Sequence, residues 1–532
     1  MYQGGGFDAG SDVMLNLMTG AESLLQTLVA NEVEVCFMNP GTSEMHFVAA
    51  LDRVPGVRGI LCLYEGVCSG AADGYARMKG KPAAVLLHLG PGLGNGLSNF
   101  HNARKAHSPI VSIVGEHSSG HLKYDAPLTS DIGAFARTVS KEVRTVAGVD
   151  SIGAATSDAI AAALAPPGQI SMLIVPADYS WLCTEDVGPV VARPARCPVS
   201  ADSIEAAAAI LRSGEPTVIV LGGTSMNRRT LGAAQVLAEA TGVRFFADRT
   251  APRLAAGGGG FAAEKVPYFP EDAGKALADF KHMILVEAQK PVSFFGYPDT
   301  PNSPVPDSCN VSVLASREQD GTAAVEALVT ACRAVPAGSL ECGASGEVFP
   351  QGAALTPSLI GKIIAALMPE NAIVSDEMIS ASAPVVAALA KAQPHDQLTI
   401  TGGAIGQGLP VAVGAAVACP DRKVLALEAD GSAMYSLQAL WTMARENLDV
   451  TVVIFANHKY RILEIEMKRT GAQNSGASAA DMLSLGRPDL DFVRLSEGMG
   501  VPATRAATAG EFFKAFREAV AVRGPRLIEA VL

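Results

Sequence analysis

Aromatic residues make up only 5% of the 532 positions, and the sequence contains no Cys-x-x-Cys pair, no Gly-x-Gly-x-x-Gly fingerprint and no stripe of Lys and Arg. Each absence excludes something. With a net charge of −12 and no basic stripe, nucleic acid is not an expected partner. No apolar run approaches the ~20 residues of a membrane-spanning helix, so no membrane association is expected. Residues 1–18 carry neither a basic start nor an apolar core, which argues against a secretory signal and for a flexible leader. The nine cysteines (Cys36, Cys62, Cys68, Cys183, Cys197, Cys309, Cys332, Cys342 and Cys419) are scattered, and most lie in apolar segments where a free thiol behaves as a small hydrophobe. A reducing, cytoplasmic setting is expected.

The chain is rich in Ala, Gly and Val, in short apolar runs followed by glycine turns and helical patterns. That composition suits an α/β fold, and the length calls for three open, mainly parallel-sheet domains. The first spans 19–185. A proline-rich linker, DVGPVVARPARCPVS, follows at 186–200. A central domain at 201–335 has strands expected at 217–221, 243–247 and 282–286, and a second Pro/Gly-rich stretch leads to the third domain, 357–532. In the central domain the turn Gly222-Gly223-Thr224 and the glycine run 257–260 invite a dinucleotide reading, but the missing fingerprint weighs against both NAD and flavin.

The densest chemistry lies between 428 and 460. Asp430-Gly431-Ser432 follows the apolar run 424–427, where a buried strand gives way to a helix. Such a corner presents free N–H groups, and Gly431 lets a phosphate approach the backbone. A carboxylate beside a diphosphate makes sense with a divalent metal between them. The strand expected at 450–455 ends at Ala456-Asn457-His458-Lys459, and 457 − 430 = 27 positions leave room for one helix and one return strand. Alone, Asp-Gly-Ser is an ordinary turn. With Asn457 at the end of the next strand, a metal–diphosphate site is the expected reading.

Further carboxyl and imidazole groups stand at strand ends in the first domain. An apolar strand expected at 59–65 ends in Glu65, before a helix of small residues, GVCSGAADGYARMKG, and these surroundings favour the neutral acid. The bland alternative is a helix-start glutamate favoured by the macrodipole. The strand expected at 83–88 ends in His88, and the glycines of 89–96 predict a loop carrying Asn95. In the third domain a strand at 371–375 leads to Asp376-Glu377 and Ser380, and TGGAIGQGLP (401–410) reads as a loop before another small-residue helix.

Over about 20–532 these stretches resemble the thiamine diphosphate (ThDP) dependent 2-oxo acid decarboxylases and acetolactate synthases. The family's Gly-Asp-Gly…Asn motif is matched except at its first glycine, here Ala429, which leaves the metal ligands intact. The resemblance implies Mg²⁺ on Asp430, Asn457 and the carbonyl of Lys459. It implies ThDP against Gly431, Ser432, Ser380, Gly403, Tyr460 and Asn95, with Ile405 as the apolar wedge that keeps the cofactor bent. Glu65, just before GAADGYAR at 70–77, becomes the acid on N1′ of the aminopyrimidine. The 19–185 domain would then bind the pyrimidine and the 357–532 domain the diphosphate.

The benzoylformate decarboxylases are similar in the strand-ending His88, the turn Pro40-Gly41-Thr42 and the run His107-Ser108-Pro109. That likeness implies His88 as an active-site acid/base and Thr42 in the place of a serine that binds the substrate carboxylate. A hydrogen-bonded core histidine is the alternative for His88. His117 and His121 are expected to be plain loop residues. A second catalytic histidine belongs in EAQKPVSFFGYP (287–298), where Phe295 stands instead; Leu463 matches the roofing helix, and Glu466 occupies a position where an aromatic can stand.

The implied activity is ThDP- and Mg-dependent non-oxidative decarboxylation of a small 2-oxo acid, carboligation of the resulting enamine, or both. Glu65 and Asp430 must touch one cofactor, so the two domains must face each other; in the family they do so across a subunit interface, and the resemblance thus implies a homodimer or homotetramer. A non-catalytic ThDP-binding paralogue and an NAD-dependent dehydrogenase are the alternatives.

Overall fold

The computed structural model describes residues 17–335, 349–472 and 476–532. All of the expected leader but residues 17 and 18 lies outside them, as do Cys342 and residues 336–348 of the second Pro/Gly-rich stretch. The eight described cysteines are free thiols.

Three sheets carry the fold, and in each the strands of its own domain run parallel. The first has the order Arg58–Leu61, Val35–Asn39, Ala83–His88, Ile110–Glu116, Ile170–Pro176, Glu142–Thr145. Its middle strands are apolar almost throughout and buried, as expected of a parallel sheet covered on both faces. The central sheet runs Glu264–Lys265, Arg244–Ala247, Thr217–Leu221, His282–Val286, Asn310–Ala315. In the third, the order is His395–Thr399, Ile373–Glu377, Val424–Ala429, Val450–Ala456, Arg526–Val531, Ala503–Ala506. Among the described residues no helix is long and apolar enough to cross a membrane.

One strand leaves its own domain. Arg253–Ala256, from the central stretch of sequence, pairs antiparallel with His395–Thr399 and covers the open edge of the third sheet. Arg253 anchors the crossing by binding Asp396 through Nε at 2.9 Å, and Arg422 binds the same carboxylate at 2.7 Å.

The first and third domains are joined by two crossing helices, Glu65–Lys79 and Gly408–Ala418. A Cβ at Gly414 would stand 1.8 Å from the carbonyl oxygen of Ala71, and one at Gly74 would stand 2.2 Å from that of Val411. The small residues of GAADGYAR therefore let two backbones touch. Asp73 and Arg77 of the same helix form a fully buried ion pair, and Arg77 also donates to the Thr399 carbonyl at 2.8 Å and to Thr401 Oγ1 at 3.0 Å. Ser108 donates to Asp73, so this buried charge pair has its remaining hydrogen bonds made.

The glycine loop expected at 89–96 is not a loop. Leu89–Ala106 is one continuous helix. Two of its glycines allow close packing: a Cβ at Gly90 would lie 1.8 Å from Ser130 Oγ, and one at Gly96 3.3 Å from Leu87 Cδ1. The linker at 186–200 is irregular, as expected, apart from a bridge between Cys197 and Gln319.

Candidate active site

At the end of the strand Val424–Ala429 the expected helix is a single turn, Asp430–Ala433. The Asp430 carboxylate accepts the N–H of Gly431 at 2.9 Å on one oxygen and that of His458 at 2.7 Å on the other, tying together the ends of two neighbouring strands. Burial raises its pKa, while these N–H donors pull the other way. His458 takes φ +57°, Asn457 Oδ1 accepts the Lys459 N–H at 3.1 Å, and the Lys459 carbonyl accepts from Arg461 at 3.0 Å. The Lys459 ammonium turns away to Glu464 at 3.5 Å, which leaves the carbonyl as that residue's contribution. One carboxylate, one amide oxygen and one carbonyl make a hard oxygen donor set of the kind Mg²⁺ takes alongside phosphate oxygens, so the residues fit the metal. Tyr460 lies over Gly431, where a Cβ would meet its ring at 2.4 Å, and Ser432 is buried beneath. Ser380 is exposed on the short turn Ile379–Ala381, against which the helix Arg461–Arg469 packs.

The stretch 401–407 is shaped by both domains. Gly406 and Gly408 donate their N–H groups to the two oxygens of Glu377 at 2.7 and 2.5 Å. From the first domain, Asn102 holds Ala404 through its carbonyl at 2.7 Å and its N–H at 3.2 Å, and Asn99 donates to the Gly406 carbonyl at 3.3 Å. Gly403 and Gly406 take φ of +79° and +89°; added Cβ atoms would strike the Phe294 ring at 2.5 Å and Tyr435 at 2.4 Å. Half-buried Ile405 is thereby fixed between two glycines that have no freedom to be anything else.

Sequence reasoning assigned no role to the two acids beneath this loop. Glu377 and Glu428 are opposite each other in adjacent strands and fully buried. Burial pushes the Glu377 carboxyl up to about 7, and burial together with Glu377 pushes Glu428 well above the usual range. The available signal was an acid inside the otherwise apolar strand VLALEA.

In the first domain, Glu65 is the first residue of its helix rather than the last of a strand, which ends at Leu61. It is half-buried and accepts a hydrogen bond from Asn95 Nδ2 at 3.1 Å. Gly92 separates it from His88: a Cβ there would lie 3.5 Å from Glu65 Oε1 and 3.6 Å from His88 Cβ. His88 Nδ1 is 2.8 Å from Glu44 Oε2, which also accepts the Gly41 N–H at 2.7 Å. A carboxylate on Nδ1 places the proton there and leaves Nε2 to exchange protons. His88 is therefore an oriented and partly exposed imidazole, not a core residue. Glu44 is the residue missed here; burial raises its pKa despite those contacts. Leu89, directly after His88, takes φ +56°, a strained conformation for a branched side chain. Thr42 is exposed at the start of the turn Thr42–Glu44.

Several residues with a suggestive pattern turn out to hold the fold. His107 closes its helix at φ +56° and accepts from Arg317 of the central domain at 2.6 Å; burial and that guanidinium push its pKa down to about 4. The His117 and His121 rings lie 5.4 Å apart beyond the strand Ile110–Glu116. At the switch point of the central sheet, Glu287 takes the N–H groups of Thr224 at 2.8 Å and Gly321 at 3.1 Å and the guanidinium of Arg196 at 2.8 Å. A protein carboxylate already fills the place where a nucleotide phosphate would bind, which counts against the dehydrogenase alternative. A cleft of about 1100 Å³ where the three domains meet is lined by Arg77, Arg196, Arg253 and Arg317 but by none of the candidate site residues. Phe295 lies beside Phe294, ring centroids 4.9 Å apart, and Glu466 accepts the Tyr297 hydroxyl at 3.1 Å.

The structure thus gathers Asp430, Gly431, Asn457, Lys459 and Tyr460 at one sheet edge and Glu65, Asn95, His88 and Thr42 at another. Among the described residues no hydrogen bond or ion pair joins the two groups within one chain. A group of hard oxygen donors at one sheet edge and a helix-start glutamate at another are compatible with the class of enzyme that uses ThDP. The comparisons agree. The thiamine pyrophosphate enzyme N-terminal TPP binding domain matches residues 18–142, and the C-terminal TPP binding domain matches 381–530. An IlvX protein of Mycobacterium tuberculosis, assigned by name to the acetolactate synthase large subunits, is 49% identical over 97% of this chain and 99% of its own. Benzoylformate decarboxylase of Pseudomonas aeruginosa is 29% identical over 93% and 95% of the two chains. The solved ThDP-dependent 4-hydroxybenzoylformate decarboxylase of Rhodococcus jostii superposes with a TM-score of 0.82 at 26% identity, covering 97% of this chain and 99% of that one. The chain belongs to the ThDP enzyme family, in its decarboxylase and acetolactate synthase group.

Proposed function

We propose that this enzyme uses ThDP and Mg²⁺ to decarboxylate a small 2-oxo acid without oxidation, and either releases the aldehyde or joins the acyl unit to a second carbonyl. The observation that carries this reading is the Asp430 corner, where a caged carboxylate, Asn457 and the Lys459 carbonyl surround a backbone roofed by Tyr460. Bound ThDP supplies a nucleophilic carbon for the keto group and an electron sink as CO₂ leaves. The protein's residues do the rest. Asp430, Asn457 and the Lys459 carbonyl hold the metal, and Gly431, Ser432 and Ser380 receive the diphosphate. Gly403 and Ile405 support the cofactor from the 401–407 stretch, and Tyr460 closes over it. Glu65, positioned by Asn95, holds a proton at N1′ of the aminopyrimidine. Thr42 binds the substrate carboxylate, and His88, its tautomer set by Glu44, passes protons through Nε2.

The half-site with Glu65 and the half-site with Asp430 come from different copies of the chain, in a cytoplasmic homodimer or homotetramer. Two inactive variants test this: mixing Glu65→Gln and Asp430→Ala subunits restores part of the activity when sites are shared and none when they are not. The activity itself is tested by CO₂ release from pyruvate, phenylglyoxylate and a panel of other 2-oxo acids with ThDP and Mg²⁺, with products identified. Release from none of them refutes the proposal.

A further inference from the structure

One buried acid has no part in the roles above. Glu377 ends its strand in the third domain, 1% exposed, and forms no ion pair among the described residues. Both of its oxygens face the end of the 401–407 stretch instead: Oε1 accepts the N–H of Gly406 at 2.7 Å and Oε2 that of Gly408 at 2.5 Å. Its neighbour Asp376 is engaged elsewhere, by Ser382 at 2.9 Å and Gln397 at 2.7 Å. Burying a carboxyl group without a cation costs free energy, and an amide or an apolar side chain here would cost less. Neither of those could accept two backbone N–H groups on two oxygens.

What this clamp holds is the residue beside it. Ile405 makes no backbone hydrogen bond of its own among the described residues, so its place is set by the neighbours on either side. On one side Asn102 binds the carbonyl and the N–H of Ala404, and His101 Nε2 lies 3.1 Å from the Gly402 carbonyl. On the other, Gly406 takes φ +89°, and a glycine this free in its backbone needs an external hold. Glu377 supplies it at the N–H, while Asn99 donates to the carbonyl at 3.3 Å. There is no slack beneath: a Cβ on Gly408 would stand 1.7 Å from Glu428 Oε1 and 2.9 Å from Glu377 Cβ.

We infer that Glu377 is a positioning residue for the reaction: its carboxyl group fixes where Ile405 stands against bound ThDP, and so how fast the cofactor's C2 hydrogen is released. This rests on the ThDP-dependent reading of the site and on Ile405 as the wedge within it. Glu377 acts through Ile405 and not on the cofactor, so its removal slows activation and leaves the affinity set at the Asp430 corner nearly unchanged. A displacement of about 1 Å in such a support costs up to about 100-fold in rate, although the support lies outside the reacting atoms.

The test uses Glu377→Gln, which keeps one acceptor oxygen and turns an NH₂ group toward the second N–H. Without cofactor, amide hydrogen exchange across 402–409 quickens by about 10-fold or more in the variant and keeps the wild-type rate in the other domains. With ThDP and Mg²⁺, calorimetry gives near-normal affinity, while exchange of the cofactor's C2 hydrogen with solvent falls about 10- to 100-fold. Ile405→Ala completes a double-mutant cycle: it slows C2 exchange in the wild type and adds little in the Glu377→Gln background. Losses that simply multiply, wild-type amide exchange across 402–409, or full C2 exchange in Glu377→Gln each overturn the inference. Failure of the wild type to bind ThDP, or to exchange the C2 hydrogen of the bound cofactor, refutes the ThDP reading and the inference with it. If Glu377→Gln does not fold, Glu377→Asp, which keeps both acceptors on a shorter arm, takes its place in the cycle under the same criteria.

Discussion

Replacing Glu65 with Gln separates the catalytic role of this side chain from a structural one. The carboxylate does two structural things: it meets the positive end of its helix, and it accepts one hydrogen bond from Asn95 at 3.1 Å. The first is worth about 0.3–1 kcal/mol at a partly exposed helix start. The second survives in part, since a glutamine oxygen still accepts from Asn95, and a typical hydrogen bond contributes only about 1 kcal/mol. The folded state should therefore lose no more than about 1–2 kcal/mol by these two effects. If Glu65 manages the proton at N1′, the same change removes an acid/base worth about 10²- to 10⁴-fold in rate. At 1.36 kcal/mol per factor of ten, that is about 3–5 kcal/mol on the barrier alone. Initial rates of CO₂ release, thermal melting and calorimetric ThDP titration on the same preparation keep the two contributions apart. A large fall in kcat with near-normal melting and cofactor affinity is expected. A fall of less than about 10-fold, below the range for a general acid or base, would refute the assignment.

Other outcomes follow from the same geometry. Gly414→Ala should destabilise the protein by about 1–3 kcal/mol, since its Cβ would meet the Ala71 carbonyl and force the crossing helices apart; denaturant unfolding measures it. Glu377, held near 7 by burial, keeps its proton in the folded protein to a higher pH than in the unfolded chain, where it ionises near 4.5. Its contribution is complete below pH 4.5 and lost as pH rises through about 7, so melting temperature should fall across that window and fall less in Glu377→Gln, which stays neutral. Asp430→Ala should weaken Mg²⁺-dependent ThDP binding, and a chelator should abolish wild-type activity until Mg²⁺ is restored, both followed by titration. Glu44→Gln should lower kcat and distort its pH profile while sparing cofactor affinity, because the amide no longer fixes the His88 tautomer.

The parts of this protein legible in its sequence are those dictated by local pattern. Ala83–His88, Thr217–Leu221 and His282–Val286 begin and end where their apolar runs do, because a strand buried on both faces must be apolar along its length. Asp430 and Asn457 directly follow such runs, whereas the strand before Glu65 ends at Leu61 and the glutamate opens the next helix. What escaped was decided at a distance. The glycines of 89–96 read as a loop, yet they lie in a helix, where Gly90 and Gly96 leave room for Ser130 and Leu87 from other segments. Arg253–Ala256 has no strand pattern and is recruited by the open edge of a sheet in another domain. Glu44 gains its partner only through the fold, which brings His88 to it from another strand. The pairing of Glu377 with Glu428 depends on the register of two strands, which no local pattern specifies.

The most direct check is a crystal structure of the protein with ThDP and Mg²⁺. The account predicts a cofactor whose metal contacts Asp430, Asn457 and the Lys459 carbonyl and whose pyrimidine N1′ lies within hydrogen-bonding distance of a Glu65 carboxyl oxygen. A bound cofactor whose pyrimidine is out of reach of every Glu65 in the assembly would contradict it.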